Sequence, residues 1–172
     1  MFLSKIKDFW TKKIVKKRLS NVKHINSDSS IKKVGIIFDE SYFYEKEKLI
    51  EQLVKNGIYS ENIKFLVFKN KVKKNETFDY NVFTYKNINW NATFDSKEVN
   101  DFINDDFDLL ISYYDTEKVP LLLVTNLSKA SFKVGFTSID KRLNHFMIDT
   151  NAENYTVFID ELFKYLKILN KL

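Results

Sequence analysis

The chain has no cysteine, one proline, three glycines and two histidines in 172 residues. Each scarcity removes a class of function. Without cysteine there are no disulfides and no thiolate metal sites. The glycines stand at 35, 57 and 135, too far apart for a GxGxxG or GxxxxGK loop. Such loops work by laying bare backbone against phosphate, so a dinucleotide or P-loop site of the usual kind is not expected. The GxSxG nucleophile elbow is also missing. With His24 and His145 the only histidines, a transition-metal site would have to rest on carboxylates. His145, at the start of a strand, reads as structural, and His24 as a solvated linker residue. The longest apolar runs, such as 119–124, fall far short of the ~20 residues that span a bilayer. The opening residues lack the unbroken apolar core of a signal peptide. The expectation is a soluble, cytoplasmic protein, with sequons such as those at Asn75 and Asn154 arising by chance.

What remains is ordinary for a single globular domain: 44% apolar and 30% charged residues, with 16 Phe and 9 Tyr. A chain of this length buries roughly 70% of the surface its unfolded form exposes, enough for one sizeable core. The net charge of +5 is unevenly placed. Residues 1–24 hold eight Lys/Arg and one acid, while the rest holds twenty basic and twenty-two acidic residues. Basicity confined to one segment points to an anionic partner.

Residues 2–20 read as a helix, with Phe2, Leu3, Ile6, Phe9 and Trp10 on one face and Lys5, Lys12 and Lys16 on another. After Trp10 the apolar stripe drifts to Ile14, Val15 and Leu19. A polar linker at 25–31 separates this basic helix, 1–24, from a domain at 32–172. Short apolar runs at 34–38, 63–68, 107–112, 132–136 and 145–149 read as strands, with a further short one at 82–85. Helices are expected from about Tyr42, with Gly57 as its stop, after Ser96, over 118–130 with Pro120 in its first turn, and over 153–172. The lysine-rich stretch 69–76 reads as a solvated loop and Trp90 as a lid on the core. Alternation of this kind implies an α/β fold: a mostly parallel sheet of five or six strands, Rossmann- or flavodoxin-like, with helices on both faces.

Ligands of such sheets sit beyond the strands' carboxyl ends. The candidate ligand residues there are Asp39, Glu40, Ser41, Asp115, Thr116 and Ser138, with Thr137 and Asp149 nearby. Asp39-Glu40 is similar to the acidic pair of receiver domains and to the nucleophilic aspartate of haloacid-dehalogenase phosphatases. Either would use carboxylates to hold Mg²⁺ or take up a phosphoryl group. A receiver, however, carries its phosphoacceptor where this chain has Tyr113-Tyr114 before Asp115, and a phosphatase carries a second Asp where Ser41 stands. The plainer reading is that these acids start loops and cap the next helix. The run 107–115 resembles the opening strand of Toll/interleukin-receptor domains, but a strand, a helix and a strand precede it here. No cofactor follows from any of these patterns.

The basic helix admits three readings. Through Lys5, Lys12, Lys13, Lys16, Lys17 and Arg18 it lies on an anionic membrane or along the phosphates of RNA, as on a ribosome. In the third it docks on its own domain, and the chain is a protein partner in an assembly. As a whole, the chain resembles an uncharacterised domain family of Bacteroidota proteins, of unknown function and about this length. The resemblance rests on Lys12-Lys13-x-x-Lys16-Lys17-x-Leu19-Ser20-Asn21, Lys33-Val34-Gly35-Ile36-Ile37, Phe107-Asp108-Leu109-Leu110-Ile111, Ser128-Lys129-Ala130-x-Phe132-Lys133-Val134-Gly135, Met147-Ile148-Asp149 and Leu166-x-Ile168-Leu169-Asn170. It implies a bacterial cytoplasmic protein and brings no active site. The reading that results is a non-catalytic binding or adaptor protein. The alternative is a small-ligand sensor or Mg-dependent enzyme acting on a phosphorylated or nucleotide-like ligand.

Overall fold

The computed structural model describes residues 2–19, 30–41 and 43–172, with side chains from position 9 onward apart from Arg18. Most of the expected linker, and His24 just before it, lies outside the described residues. Ile31, at its end, is buried and donates its N–H to Lys171 O at 2.8 Å.

In chain order the elements are α1 (Phe2–Arg18), β1 (Val34–Asp39), α2 (Lys46–Lys55), β2 (Ile63–Phe68), β3 (Val82–Phe83), α3 (Lys97–Asn104), β4 (Leu109–Tyr113), α4 (Val119–Leu127), β5 (Phe132–Phe136), β6 (Phe146–Ile148) and α5 (Tyr155–Ile168). The six strands form one sheet in the order β3-β2-β1-β4-β5-β6, and every pairing is parallel. That is the doubly wound Rossmann order, with its switch point between β1 and β4. β1 and β4 are buried along their whole length, as a strand covered on both faces must be. α2 packs with α5 on one face, and α4 packs with α1 and α3 on the other.

Several boundaries follow from local chemistry. Ser96 caps α3 by accepting from Val99 N at 3.4 Å, and Pro120 sits in the first turn of α4. Gly57 takes φ +99° just beyond α2, a conformation that leaves side-chain-bearing residues strained. Other boundaries differ from those expected. α2 starts at Lys46 because Phe43 is drawn into the core, stacked on Phe38. β3 stops at Phe83 because Thr84 and Asn87 form a capping box around a 3₁₀ turn. α4 ends at Leu127, where Ser128 turns extended and Lys129 N bonds Ile103 O instead. Trp90 is 57% exposed, and Ile88, Ala92 and Phe94 cover the core in its place.

Gly35 in β1 marks the tightest packing. A Cβ there would lie 2.7 Å from the ring of Phe107, which is fully buried and packed on Phe102 at 4.9 Å. Gly35→Ala is therefore expected to destabilise by about 1–3 kcal/mol through overpacking. Urea unfolding measures this, and an unchanged midpoint would refute the close fit.

Candidate functional site

β1 ends in Asp39, which is 1% exposed at the switch point. Its Oδ2 lies 2.7 Å from Lys118 Nζ, which arrives from the loop between β4 and α4. Lys118 Nζ also donates to Ser41 Oγ at 2.9 Å, and Ser41 N–H donates to Asp39 Oδ1 at 3.0 Å. A serine hydroxyl beside a lysine amine has the outline of a Ser–Lys nucleophile pair. Asp39 rules out that use: taking a proton from Lys118 would strand a buried carboxylate without its counter-charge.

Glu40 faces the other way. Its Oε1 pairs with Lys46 at 3.2 Å and its Oε2 with Lys69 at 2.8 Å, while Tyr80 OH donates to both oxygens at 3.2 Å. Burial alone would raise the Glu40 carboxyl, but hydrogen bonds from Lys69 and Lys46 outweigh it and hold the carboxyl below its usual range. Tyr80 is raised by burial and by the Glu40 charge. Each lysine also lies over a ring, Lys46 above Tyr80 at 4.4 Å and Lys69 above Phe78 at 4.6 Å. Lys69 therefore belongs to an ion-pair network and not to a solvated loop.

A second set of bonds holds Asp115 and Ser138. Asp115 Oδ2 accepts from Ala152 N at 2.9 Å, and Ser138 Oγ donates to Asp115 O at 2.8 Å. Thr116 Oγ1 reaches Asp115 Oδ1 at 3.5 Å, and Thr137 Oγ1 donates to Asp149 Oδ1 at 2.8 Å. These contacts tie the ends of β4, β5 and β6 to the start of α5. Between the two sets the crevice of a doubly wound sheet is filled by aromatic rings: Phe43 lies 4.7 Å from Tyr113, whose hydroxyl donates to Ala152 O at 2.7 Å. His145 is structural, its Nδ1 accepting from Lys133 N at 2.9 Å. Among the described residues no group of three or more His, Asp or Glu is placed to hold a metal ion.

α1 is split between two environments. Thr11, Val15 and Leu19 are buried at 2%, 1% and 6% exposure, one helical turn apart on the face that packs on α4. Lys16 Nζ pairs with Glu117 at 3.0 Å, and Arg142 Nη1 lies 3.4 Å from Lys16 O and Leu19 O. Phe9 and Trp10 point the other way, 65% and 51% exposed, with ring centroids 6.2 Å apart. Lys12, Lys13 and Lys17 are exposed too, and Lys13 Nζ sits 5.4 Å over the Trp10 ring. The side chains of Lys5 and Arg18, also expected on this surface, lie outside the described residues. The helix thus docks through the later part of its apolar stripe and leaves Phe9 and Trp10 uncovered.

Sequence reasoning missed Lys46, Lys69, Tyr80 and Lys118. Asp39 and Lys118 are 79 positions apart, and only the adjacency of β1 and β4 brings them together. No helix among the described residues is long and apolar enough to cross a membrane. A family model described as "Family of unknown function (DUF6913)" matches residues 7–169. No curated protein and no solved structure matches the chain.

Proposed function

We propose that this chain, which belongs to the DUF6913 family, is a non-catalytic peripheral protein that attaches to an anionic membrane surface through the outer face of α1. The reading places it in the cytoplasm, on the inner face of a membrane. The observation that carries it is the exposure of Phe9 and Trp10, at 65% and 51%, on a helix whose opposite face is seated on α4. Aromatic rings flanked by lysines suit the interface, where the rings enter the acyl boundary and the ammonium groups meet phosphates. Three exposed lysines supply about 3 kcal/mol, at about 1 kcal/mol per residue near the surface. The aromatic pair adds roughly 2 kcal/mol if partly inserted. A total of about 5 kcal/mol corresponds to a dissociation constant of the order of 0.1–1 mM, so the attachment is reversible by salt.

RNA fits less well. Stacking on bases needs open ring faces, and Lys13 already covers one face of Trp10. A small-ligand or Mg²⁺ site at the strand ends fits less well again, because lysines already engage Asp39 and Glu40.

The test is co-sedimentation of the full chain with phosphatidylcholine vesicles, with and without phosphatidylglycerol, across a salt series. Pelleting is expected only with the anionic lipid, falling as salt rises. A Phe9→Ser/Trp10→Ser variant should pellet about tenfold less, in line with losing roughly 1.4 kcal/mol or more. In a Trp90→Phe background, which removes the other tryptophan, Trp10 emission should shift to the blue on binding. Equal pelleting with neutral and anionic vesicles, or binding seen only with ribosomes, would overturn the reading.

A further inference from the structure

The sheet has an unfinished edge. Along β2, Val67 N–H donates to Asn81 O at 2.9 Å and Lys69 N–H to Phe83 O at 3.0 Å, so the odd-numbered residues face β3. β3, however, pairs only with Val67 and Phe68. Two residues earlier, the N–H and C=O of Phe65 point to the same edge by strand alternation, and β3 offers them no partner. On its other side β2 is paired with β1 from Ile63 to Phe68.

At this gap lies a cavity of about 410 Å³, within the range of ligand-binding clefts. It draws on both layers of the fold. Phe65 packs toward Phe38 and Tyr80 on one face, and Phe102 of α3 closes the other. Its rim is acidic, with Asp79, Glu98, Asp101 and Asp105 against a single basic residue, Lys64. Lys64 is spent on Asp105 at 2.9 Å, whereas Asp79 has no ion-pair partner among the described residues.

We propose that this edge accepts an extended, lysine- or arginine-bearing segment of a partner protein, which pairs its backbone with Phe65 and completes the sheet beside the amino half of β2. Main-chain bonds to an open edge provide the attachment, and alternate side chains read the two flanks. Here one flank offers Asp79 beside the Tyr80 ring and the other offers Glu98 and Asp101, the latter in an exposed and hence weak ion pair with Lys97 that a partner's basic side chain can replace, so basic side chains are favoured on both. The site is distinct from the basic face of α1 and opposite in charge, so each stands or falls separately.

The probe is a fluorescein-labelled peptide, Lys-Lys-Val-Thr-Lys-Lys-amide, which in extended form presents lysines to both flanks, titrated with the full chain and followed by anisotropy. Saturable binding is expected, weakening as salt rises from about 50 to 300 mM. A peptide of identical charge with N-methylated central amides should bind about tenfold more weakly, the equivalent of about 1.4 kcal/mol. So should the wild-type peptide with an Asp79→Asn/Glu98→Gln/Asp101→Asn variant, whose isosteric changes at exposed positions keep the fold, as thermal melting verifies. Equal binding of the N-methylated peptide would mean mere adsorption to a polyanion and overturn the proposal. Unchanged binding by the variant, or no saturation, would do the same. Self-association of the chain that the same variant abolishes would assign the edge to a second copy, and that too would overturn it.

Discussion

Asp39→Ala is expected to destabilise the fold by about 3–5 kcal/mol, the usual range for removing one partner of a buried ion pair. Asp39 is 1% exposed, and the Lys118 side chain that faces it is 13% exposed. The carboxylate also accepts from Ser41 N, so its loss frees a backbone donor at the end of β1. Lys118 would keep Ser41 Oγ and its position 5.2 Å over the Phe68 ring, but its charge would have no carboxylate at 2.7 Å. Removing both charges should be far milder: Asp39→Leu/Lys118→Met is expected to lie within about 1–2 kcal/mol of the wild type, since apolar replacements of buried pairs are often neutral or stabilising. Denaturant midpoints of Asp39→Leu, Lys118→Met and the double variant, beside Asp39→Ala, complete the cycle. A single variant costing under about 1 kcal/mol would show that the pair is solvated and the strand end open.

This pair also marks where sequence reading stops. The strands at 34–38 and 107–112 were legible because a strand covered on both faces is a short, almost continuous apolar run, and those at 63–68 and 132–136 because one lysine interrupts an otherwise apolar run. Gly57, Ser96 and Pro120 were legible because their roles depend on local backbone chemistry. Lys118 was not, because a lysine before a helix looks the same whether it faces water or a carboxylate 79 positions away. The same limit applies to α1. Periodicity groups Phe9 and Trp10 with the apolar face, yet the seat on α4 takes Thr11, Val15 and Leu19. The drift of the stripe to Val15 and Leu19 was readable, but Thr11 is polar and no hydrophobic pattern would add it to that face. Of the candidate ligand residues, Asp39 and Ser41 meet through Lys118, while Asp115 and Ser138 share a separate set of bonds. Their positions at strand ends were readable, but their partners were not.

Lys133 offers the sharpest test of the core on the α4 face. In sequence it alternates with Phe132 and Val134 and looks like the solvent side of a strand, yet it is 6% exposed. Its Nζ donates to Thr125 O at 2.8 Å, and it has no ion-pair partner among the described residues. Burial pushes the amine down to about 8 from the usual 10.5. Below about pH 8 the lysine is charged in both folded and unfolded chains, and the folded one bears the full burial penalty of roughly 3 kcal/mol. As pH rises from about 8 toward 10.5 the folded amine gives up its proton first, the unfolded chain binds more protons, and stability climbs. Lys133→Met removes this dependence, while leaving Thr125 O without its donor costs about 1–3 kcal/mol at every pH. The variant's stability relative to the wild type should therefore fall by about 2.5 kcal/mol between pH 7 and pH 10. Ionisation of unfolded tyrosines lowers stability in the same range, but equally in both proteins, so it cancels in the difference. Urea unfolding of the two proteins at pH 7, 8, 9 and 10 gives the curve. A difference independent of pH would mean that Lys133 reaches water and that the core beneath α4 is wetter than its burial indicates.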